Sequence, residues 1–309
     1  MVDKVVFYWS GVVPWVGQLS LASALARFPS AEVHLYLDQD EQFHSALPPS
    51  LDWLRDNRRF KVVNFSFQEM LSRQGFKPYR PSRDIRERLG NLAFQVFHNS
   101  SLRKHPGVAS YLRPKFTTWH HNRVYGWSRT GMVAHSIQWG GVVYRDDLFK
   151  TVIEAEFPGQ AIICSDLDVY YAAEFSAWPL DASFISRWGS EPWANNSVVY
   201  LHRERHELQR AFRRSLDSSL PASPWHFFSN EKCEVYGLKI LSSDLFDPIW
   251  SKTSISRGDS DLFFQDTPSA AALVAEIKSQ NLAVHWHNHW AYEPEPGSPF
   301  LRLLAELIA

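Results

Sequence analysis

The first forty residues leave few folds open. Lys4-Val5-Val6-Phe7-Tyr8-Trp9 is dominated by β-branched and aromatic residues and is closed by Ser10-Gly11, so it reads as a strand. Leu21, Leu25 and Phe28 then fall on one stripe of a helix over residues 15–28. Glu32–Leu37 is again of strand character. A strand, a helix and a second strand in so short a span argue for a parallel βαβ unit and a sheet of the nucleotide-binding kind.

The rest of the chain continues the alternation in places. Val62–Phe65 reads as a third strand. Asp146–Phe157 has helical spacing in Leu148/Val152 and Phe149/Ile153, and Pro158-Gly159 stops it. Ala161–Cys164 is a short apolar run of the kind that forms buried strands. Ala182–Trp188 and Ser197–Leu201 are two further strands, and Arg203–Leu216 is an amphipathic helix with Leu208, Phe212 and Leu216 in register. A helix opening at Thr267-Pro268 runs to Gln280, and Leu282–His285 is a last strand. The expected class is α/β, a mixed, mainly parallel sheet flanked by helices, in one domain over residues 1–309. Residues 76–130 fit the alternation poorly. They are expected to be a helical or loop insertion, with a helix near 83–97 and a basic, aromatic segment over Tyr111–Arg129.

Composition excludes some roles. The net charge is -1, so no global field draws the chain to nucleic acid or to a membrane. Thirteen Trp in 309 residues lean toward a carbohydrate or nucleotide ligand, because flat indole faces stack on sugars and bases. The two cysteines, Cys164 and Cys233, form no CxxC pair, and Cys164 lies inside the apolar run as a buried thiol, consistent with a reducing location. The amino terminus lacks the pattern of a signal peptide, and charges break every apolar run before it is long enough to cross a bilayer. A cytoplasmic protein is expected, at most peripheral to a membrane.

Three Asp-x-Asp triplets occur, at Asp38/Asp40, Asp166/Asp168 and Asp259/Asp261. Context separates them. Asp259/Asp261 lies in a Ser/Gly-rich stretch and reads as solvated loop. Asp38/Asp40 follows a strand and is either a turn or a nucleotide contact. Asp166/Asp168 follows a helix, a Pro-Gly stop and an apolar strand, at the carboxyl edge where open α/β sheets bind ligands. Residues i and i+2 of an extended segment face one side, so both carboxylates can share a hard cation that also binds phosphate. The plainer alternative is a capping or turn pair at a strand end. Near the carboxyl end, His285, His287 and His289 alternate, and one imidazole meeting Asp166/Asp168 would complete a mixed oxygen and nitrogen site suited to Mn²⁺.

These segments together resemble the DXD-containing, retaining GT-A glycosyltransferases, especially the group holding capsular and lipo-oligosaccharide sugar transferases and α-mannosyltransferases. Val6-Phe7-Tyr8-Trp9-Ser10-Gly11 is similar to that family's first strand. Asp147-Leu148-Phe149-Lys150 resembles its Asp-x-x-Arg helix motif, Cys164-Ser165-Asp166-Leu167-Asp168-Val169 its DXD strand, Asn195-Asn196-Ser197 its Asn segment beside the sugar, and His285-Trp286-His287-Asn288 its closing His-Leu-Trp-Asn. Two features depart from the pattern: Lys150 stands where the family has Arg, and Gly140-Gly141 lies ahead of the usual Gly-Gly position, whose turn holds Pro158-Gly159 instead.

The resemblance implies a Rossmann-like GT-A fold and hexose transfer from a UDP- or GDP-sugar to an acceptor hydroxyl, with retention and with Mn²⁺ or Mg²⁺. The acceptor would be a glycan, a lipid-linked sugar or a protein. The resemblance also implies roles. Asp166 would contact the donor and the metal, Asp168 and His285 would be metal ligands, and Lys150 would orient the donor. Asn195 or Asn196 would face the sugar, and Trp9 and Asn288 would line the donor pocket. On the residues alone, Lys150 could equally be a surface charge, Trp9 plain core and the Asn pair a turn. No nucleophile is evident, so same-face attack assisted by the leaving phosphate and a covalent intermediate stay open, with Glu191, Asp259 and Asp261 as acid/base candidates. Two rivals remain. One is a different metal-dependent nucleotide-using transferase, for which no Walker or GxGxxG motif is present. The other is a Trp-rich carbohydrate-binding protein without catalysis.

Overall fold

The structure, a computed structural model, describes residues 1–40, 45–76, 142–189, 194–217, 228–246, 260–287 and 293–308, with backbone alone at 142–144, 217, 260 and 261. The expected helix near 83–97, nearly all of the insertion around 76–130, the segment Tyr111–Arg129, Gly140-Gly141, Glu191, Asp259 and Asn288 lie outside the described residues.

The opening βαβ unit forms with β1 at Lys4–Trp9, α1 at Gln18–Arg27 and β2 at Glu32–Asp38. A 3-10 turn, Trp15–Gly17, leads into α1. Then follow β3 (Phe60–Phe65), α2 (Phe67–Arg73), α3 (Val142–Ile153), β4 (Ile162–Ser165) and β5 (Val169–Tyr171). β6 (Phe184–Arg187), β7 (Ala194–Leu201), α4 (His206–Asp217), α5 (Asn230–Val235) and β8 (Lys239–Leu241) come next. α6 (Ala270–Gln280), β9 (Ala283–His285) and α7 (Pro299–Ile308) end the described chain. The helix expected to open at Thr267-Pro268 begins at Ala270, because Pro268 sits in the turn ahead of it.

Among the described residues, seven strands make one sheet in the order β3-β2-β1-β4-β7-β6-β8. Neighbours are parallel except where β7 meets β4 and β6, so β7 alone runs against the rest. This is the mixed, mainly parallel α/β sheet the sequence called for. The chain proceeds outward from β1 to β2 and β3, then returns to place β4 on the other side of β1. The order reverses between β1 and β4, and the carboxyl ends at such a reversal are where open α/β sheets bind ligands.

Strand alternation sends Val5, Phe7, Val33 and Leu35 to one face, against Leu21, Ala24 and Leu25 of α1. It sends Val6, Tyr8 and Tyr36 to the other, against Phe67 and Met70 of α2 and Leu148, Phe149 and Val152 of α3. A third cluster packs the far side of α1, through Leu19, against Tyr170, Val284, Trp286 and the apolar faces of α6 and α7. α1 is therefore buried on both sides, and every residue from Gln18 to Leu25 is buried. Each buried Leu contributes roughly 1.5–3 kcal/mol. No helix among the described residues is long and apolar enough to cross a membrane.

Candidate metal centre and donor site

The carboxyl end of β4 runs directly into Asp166-Leu167-Asp168 and then β5, which leaves the main sheet and pairs antiparallel with β9. Three contacts fix this passage. Asp166 N–H donates to Ser197 O of β7 at 2.8 Å. Ser20 of α1 donates its hydroxyl to Leu167 O at 2.5 Å and accepts from Val169 N at 3.1 Å. Ser23, one turn along, accepts from Tyr171 N at 3.1 Å. Leu167 points into the apolar layer beside α1, where it meets Gly17 so closely that a Cβ there would stand 2.9 Å from its Cγ and Cδ2. Leu167 and Asp168 form a turn between the two strands, and with Leu167 anchored inward this turn, not strand alternation, brings Asp166 and Asp168 together beside His285.

His285 arrives from β9. It lies opposite Val169, its N–H donates to Phe246 O at 3.0 Å, and Trp286 N–H donates to Asp168 O at 3.1 Å. Val284 and Trp286 belong to the third apolar cluster, and Trp286 stacks on Phe263 with centroids 5.6 Å apart. That anchoring leaves the alternate residue, His285, facing the aspartates. Its Nε2 lies 3.3 Å from Asp168 Oδ1 and 3.8 Å from Asp166 Oδ2. One atom from each of the three residues falls within 4.8 Å of the others. Two atoms that each sit about 2.1 Å from one cation lie at most about 4.2 Å apart. His285 meets that limit with each carboxylate, at 3.3 and 3.8 Å, and two carboxylates with an imidazole are a donor set suited to a hard or borderline divalent ion.

α3 supplies the surrounding charge. Lys150 is 2% exposed and forms ion pairs with Asp146 and with Oδ1 of Asp166. It is no surface charge. Burial alone would lower the ammonium, and the carboxylates of Asp146, Asp166 and Asp147 more than reverse this, so Lys150 stays protonated. Burial pushes Asp146 upward against the opposing pull of Lys150. Asp147 is pushed up to about 7, first by burial, with Lys150 and the Asn196 amide opposing. Asn196 Nδ2 donates to Asp147 Oδ1 at 2.6 Å. Asn195 and Asn196 are strand residues at the start of β7 and not a turn, and Asn195 Oδ1 accepts from Ser197 N at 2.8 Å.

Trp9 ends β1 at the order reversal, nearly buried in the core, and its indole N–H donates to Val12 O at 2.9 Å. Asp38 and Asp40 are held by a different partner. Buried Arg145 donates through Nε to Asp38 Oδ2 at 2.7 Å and pairs with Asp40 Oδ2 at 2.9 Å, while Tyr8 donates to Asp38 and Ser66 to Asp40. That triplet ties α3 to the ends of β1 and β2. Asp261 falls in a 3-10 turn, Ser260–Phe263.

Sequence reasoning did not single out Ser20, Gly17 or Asp146. For Asp146 a signal was present, since Asp146 and Lys150 stand at i,i+4 on a helix. The serine clamp is a tertiary contact with no local signature.

No protein-family model matches the chain, and no curated protein matches it. Solved structures do. The apo-form glycosyltransferase GlyE of Streptococcus pneumoniae TIGR4 is 8% identical over all of this chain and 61% of its own, with a TM-score of 0.42. An active-site mutant of LgtC is 11% identical over 98% of this chain and 95% of its own, at 0.38. The PaToxG glycosyltransferase is 10% identical over 77% and 67%, at 0.34. At such scores these likenesses add nothing to what the site geometry carries.

Proposed function

We propose that the chain is a metal-dependent glycosyltransferase, a single GT-A-like catalytic domain that moves a hexose from a nucleoside diphosphate sugar to an acceptor hydroxyl with retention. The observation that carries this reading is the convergence of Asp166, Asp168 and His285 at the carboxyl edge of a mainly parallel sheet, beside its order reversal. Open α/β sheets bind nucleotides at such an edge, and Asp166, Asp168 and His285 would hold Mn²⁺ or Mg²⁺ there. The bound cation would neutralise charge on the departing diphosphate.

The chain's own residues do the rest. Asp168 and His285 are ligands fixed by the β5–β9 pairing. Asp166 is divided: Oδ1 is engaged by Lys150 and Oδ2 faces His285. Lys150 is thus a positioning residue that reaches the donor through Asp166. Asn196, with Asp147 behind it, and Asn195 face the transferred sugar from β7, and Trp9 lines the nucleotide side. In the transfer, the bond from the anomeric carbon to the diphosphate breaks, a bond to the acceptor oxygen forms on the same face, and the acceptor proton passes to the departing diphosphate.

The test incubates the protein with Mn²⁺ and UDP-glucose, UDP-galactose, UDP-N-acetylhexosamines or GDP-mannose. Metal-dependent release of UDP or GDP, abolished in Asp168→Ala, is the expected result. A melting temperature indifferent to Mn²⁺ and to every one of these donors would end the reading.

A further inference from the structure

Beside the metal centre stand two half-buried aromatic side chains that the roles above do not use, Trp188 and His287. They come from different parts of the chain. Trp188 follows β6, and Gly189 after it turns the chain with φ +51°. His287 follows the anchored Trp286. Its own φ is +54°, and among the described residues no other non-glycine has a positive φ. Left-handed backbone is disfavoured for side chains with a Cβ, so the surrounding structure must hold it, and such outliers gather at functional sites. The consequence of the turn is visible. The His287 ring comes within 4.0 Å of the His285 ring, and the Trp188 ring stands 6.2 Å from His287. His287 itself lies outside the Asp166/Asp168/His285 cluster.

The positions have an order across the sheet edge. β4 delivers the aspartates, β7 delivers Asn195 and Asn196, and β6 delivers Trp188. Two strand spacings separate β4 from β6, about 10 Å. On the transferase reading, the nucleotide lies the other way, at the order reversal beside β1 and β2. The Trp188 side is therefore where the sugar end of a diphosphate sugar points, one ring beyond the metal. An indole offers a flat apolar face to the C–H face of a pyranose, and an imidazole offers a hydrogen bond to its hydroxyls.

Building on the transferase reading, we propose that Trp188 and His287 form a pyranose-binding wall of this site, with the sugar ring on the indole and the imidazole on a hydroxyl. The ring belongs either to the donor hexose or to the acceptor.

The test compares wild type with Trp188→Leu, Trp188→Phe, His287→Gly and His287→Asn, all with Mn²⁺. Calorimetry measures UDP, UDP-glucose, UDP-galactose, GDP and GDP-mannose. Diphosphate release is measured with and without methyl hexosides. The expected result is that bare nucleotide binds every variant within about twofold of wild type. If the wall holds the donor sugar, the affinity gained from nucleotide to nucleotide sugar falls about tenfold in Trp188→Leu and returns in Trp188→Phe. If it holds the acceptor, that gain is unchanged and the half-maximal methyl hexoside concentration rises about tenfold. His287→Gly keeps the left-handed backbone and loses part of the same quantity. His287→Asn tolerates the backbone, donates from its amide and retains it. Should Trp188→Leu not fold, His287→Gly reads the other half of the wall. A folded Trp188→Leu that changes neither quantity, or weakens bare nucleotide as much as nucleotide sugar, overturns this inference alone. A wild type that binds none of the nucleotides overturns the transferase reading, and this inference with it.

Discussion

Gly17→Ala tests how the proposed metal centre is held without touching any of its proposed ligands. Gly17 has helical backbone, φ -61° and ψ -17°, so an alanine fits the conformation and gains about 0.4–1 kcal/mol from the unfolded state. The added Cβ, however, would stand 2.9 Å from Leu167 Cγ and Cδ2. Apolar carbons rest about 3.5–4.0 Å apart, so Leu167 must move by roughly 0.6–1.1 Å. It is 2% exposed and its carbonyl is held by Ser20 at 2.5 Å, so the side chain has no outward escape. Overpacking of this kind costs about 1–3 kcal/mol, which exceeds the gain. The strain falls between Asp166 and Asp168, where ligand distances tolerate only about 0.2 Å. The expected result is a melting temperature lowered by a few degrees and a Mn²⁺ affinity lowered about tenfold, the lower end of what outer-shell changes cause. The control is the same substitution in a Leu167→Ala background, where the clash is gone and Gly17→Ala should leave Mn²⁺ affinity alone. Calorimetric Mn²⁺ titration reads both. An unchanged affinity in the first background, or an equal loss in the second, refutes the account of Leu167 as the spacer that aims the two aspartates.

Three further outcomes follow from the buried charges. Lys150→Met removes the ammonium between Asp146 and Asp166 and should cost about 3–5 kcal/mol by urea unfolding, with Asp146→Asn recovering part of it. Arg145→Met strips Asp38 and Asp40 of their cation and should cost a similar amount, about 3–5 kcal/mol, and unlike Lys150→Met it should leave a folded fraction with near-native Mn²⁺ affinity. Asp147 carries a pH signature. Its folded pKa of about 7 lies above the unfolded carboxylate value of about 3.9, so its stabilising share is whole below about pH 4 and is lost as pH rises through about 7. Asp147→Asn, which keeps an acceptor for Asn196, should remove up to about 1.4 kcal/mol per pH unit of slope within that window. Identical slopes of unfolding free energy against pH in variant and wild type would contradict this.

Local pattern and tertiary contact divide what the chain discloses. β1, α1 and β2 were legible because their apolar periods are long and uninterrupted, and their ends moved by only a few residues. β5 was not, because three residues carry no period and exist as a strand only through β9. α2 was passed over although Ser66 accepts from Glu69 N at 3.4 Å, a capping pair readable in Ser66-x-x-Glu69. The Asn pair invites a turn because Asn is depleted in strands. Its place in β7 is sustained by burial and by Asp147, far away in sequence. Context did separate the three Asp-x-Asp triplets, yet what distinguishes the first physically is Arg145. No local reading assigns a cation from α3 to the end of β2.

The separation of those two triplets explains the division of labour within α3. Its first turn carries Arg145 to Asp38 and Asp40, and a little over one turn later Lys150 reaches Asp146 and Asp166. At the β2 end one guanidinium meets two carboxylates, with Tyr8 and Ser66 donating as well, and the group is closed by hydrogen bonds. At the β4 end Lys150 meets Asp146 and Asp166, while Asp147 accepts from Asn196 and Asp168 faces His285. On the proposed reading, a divalent cation would be shared by Asp166, Asp168 and His285. The first triplet is thus paired with a cation of the protein's own, and on the proposed reading the second would share its ion with the donor's diphosphate.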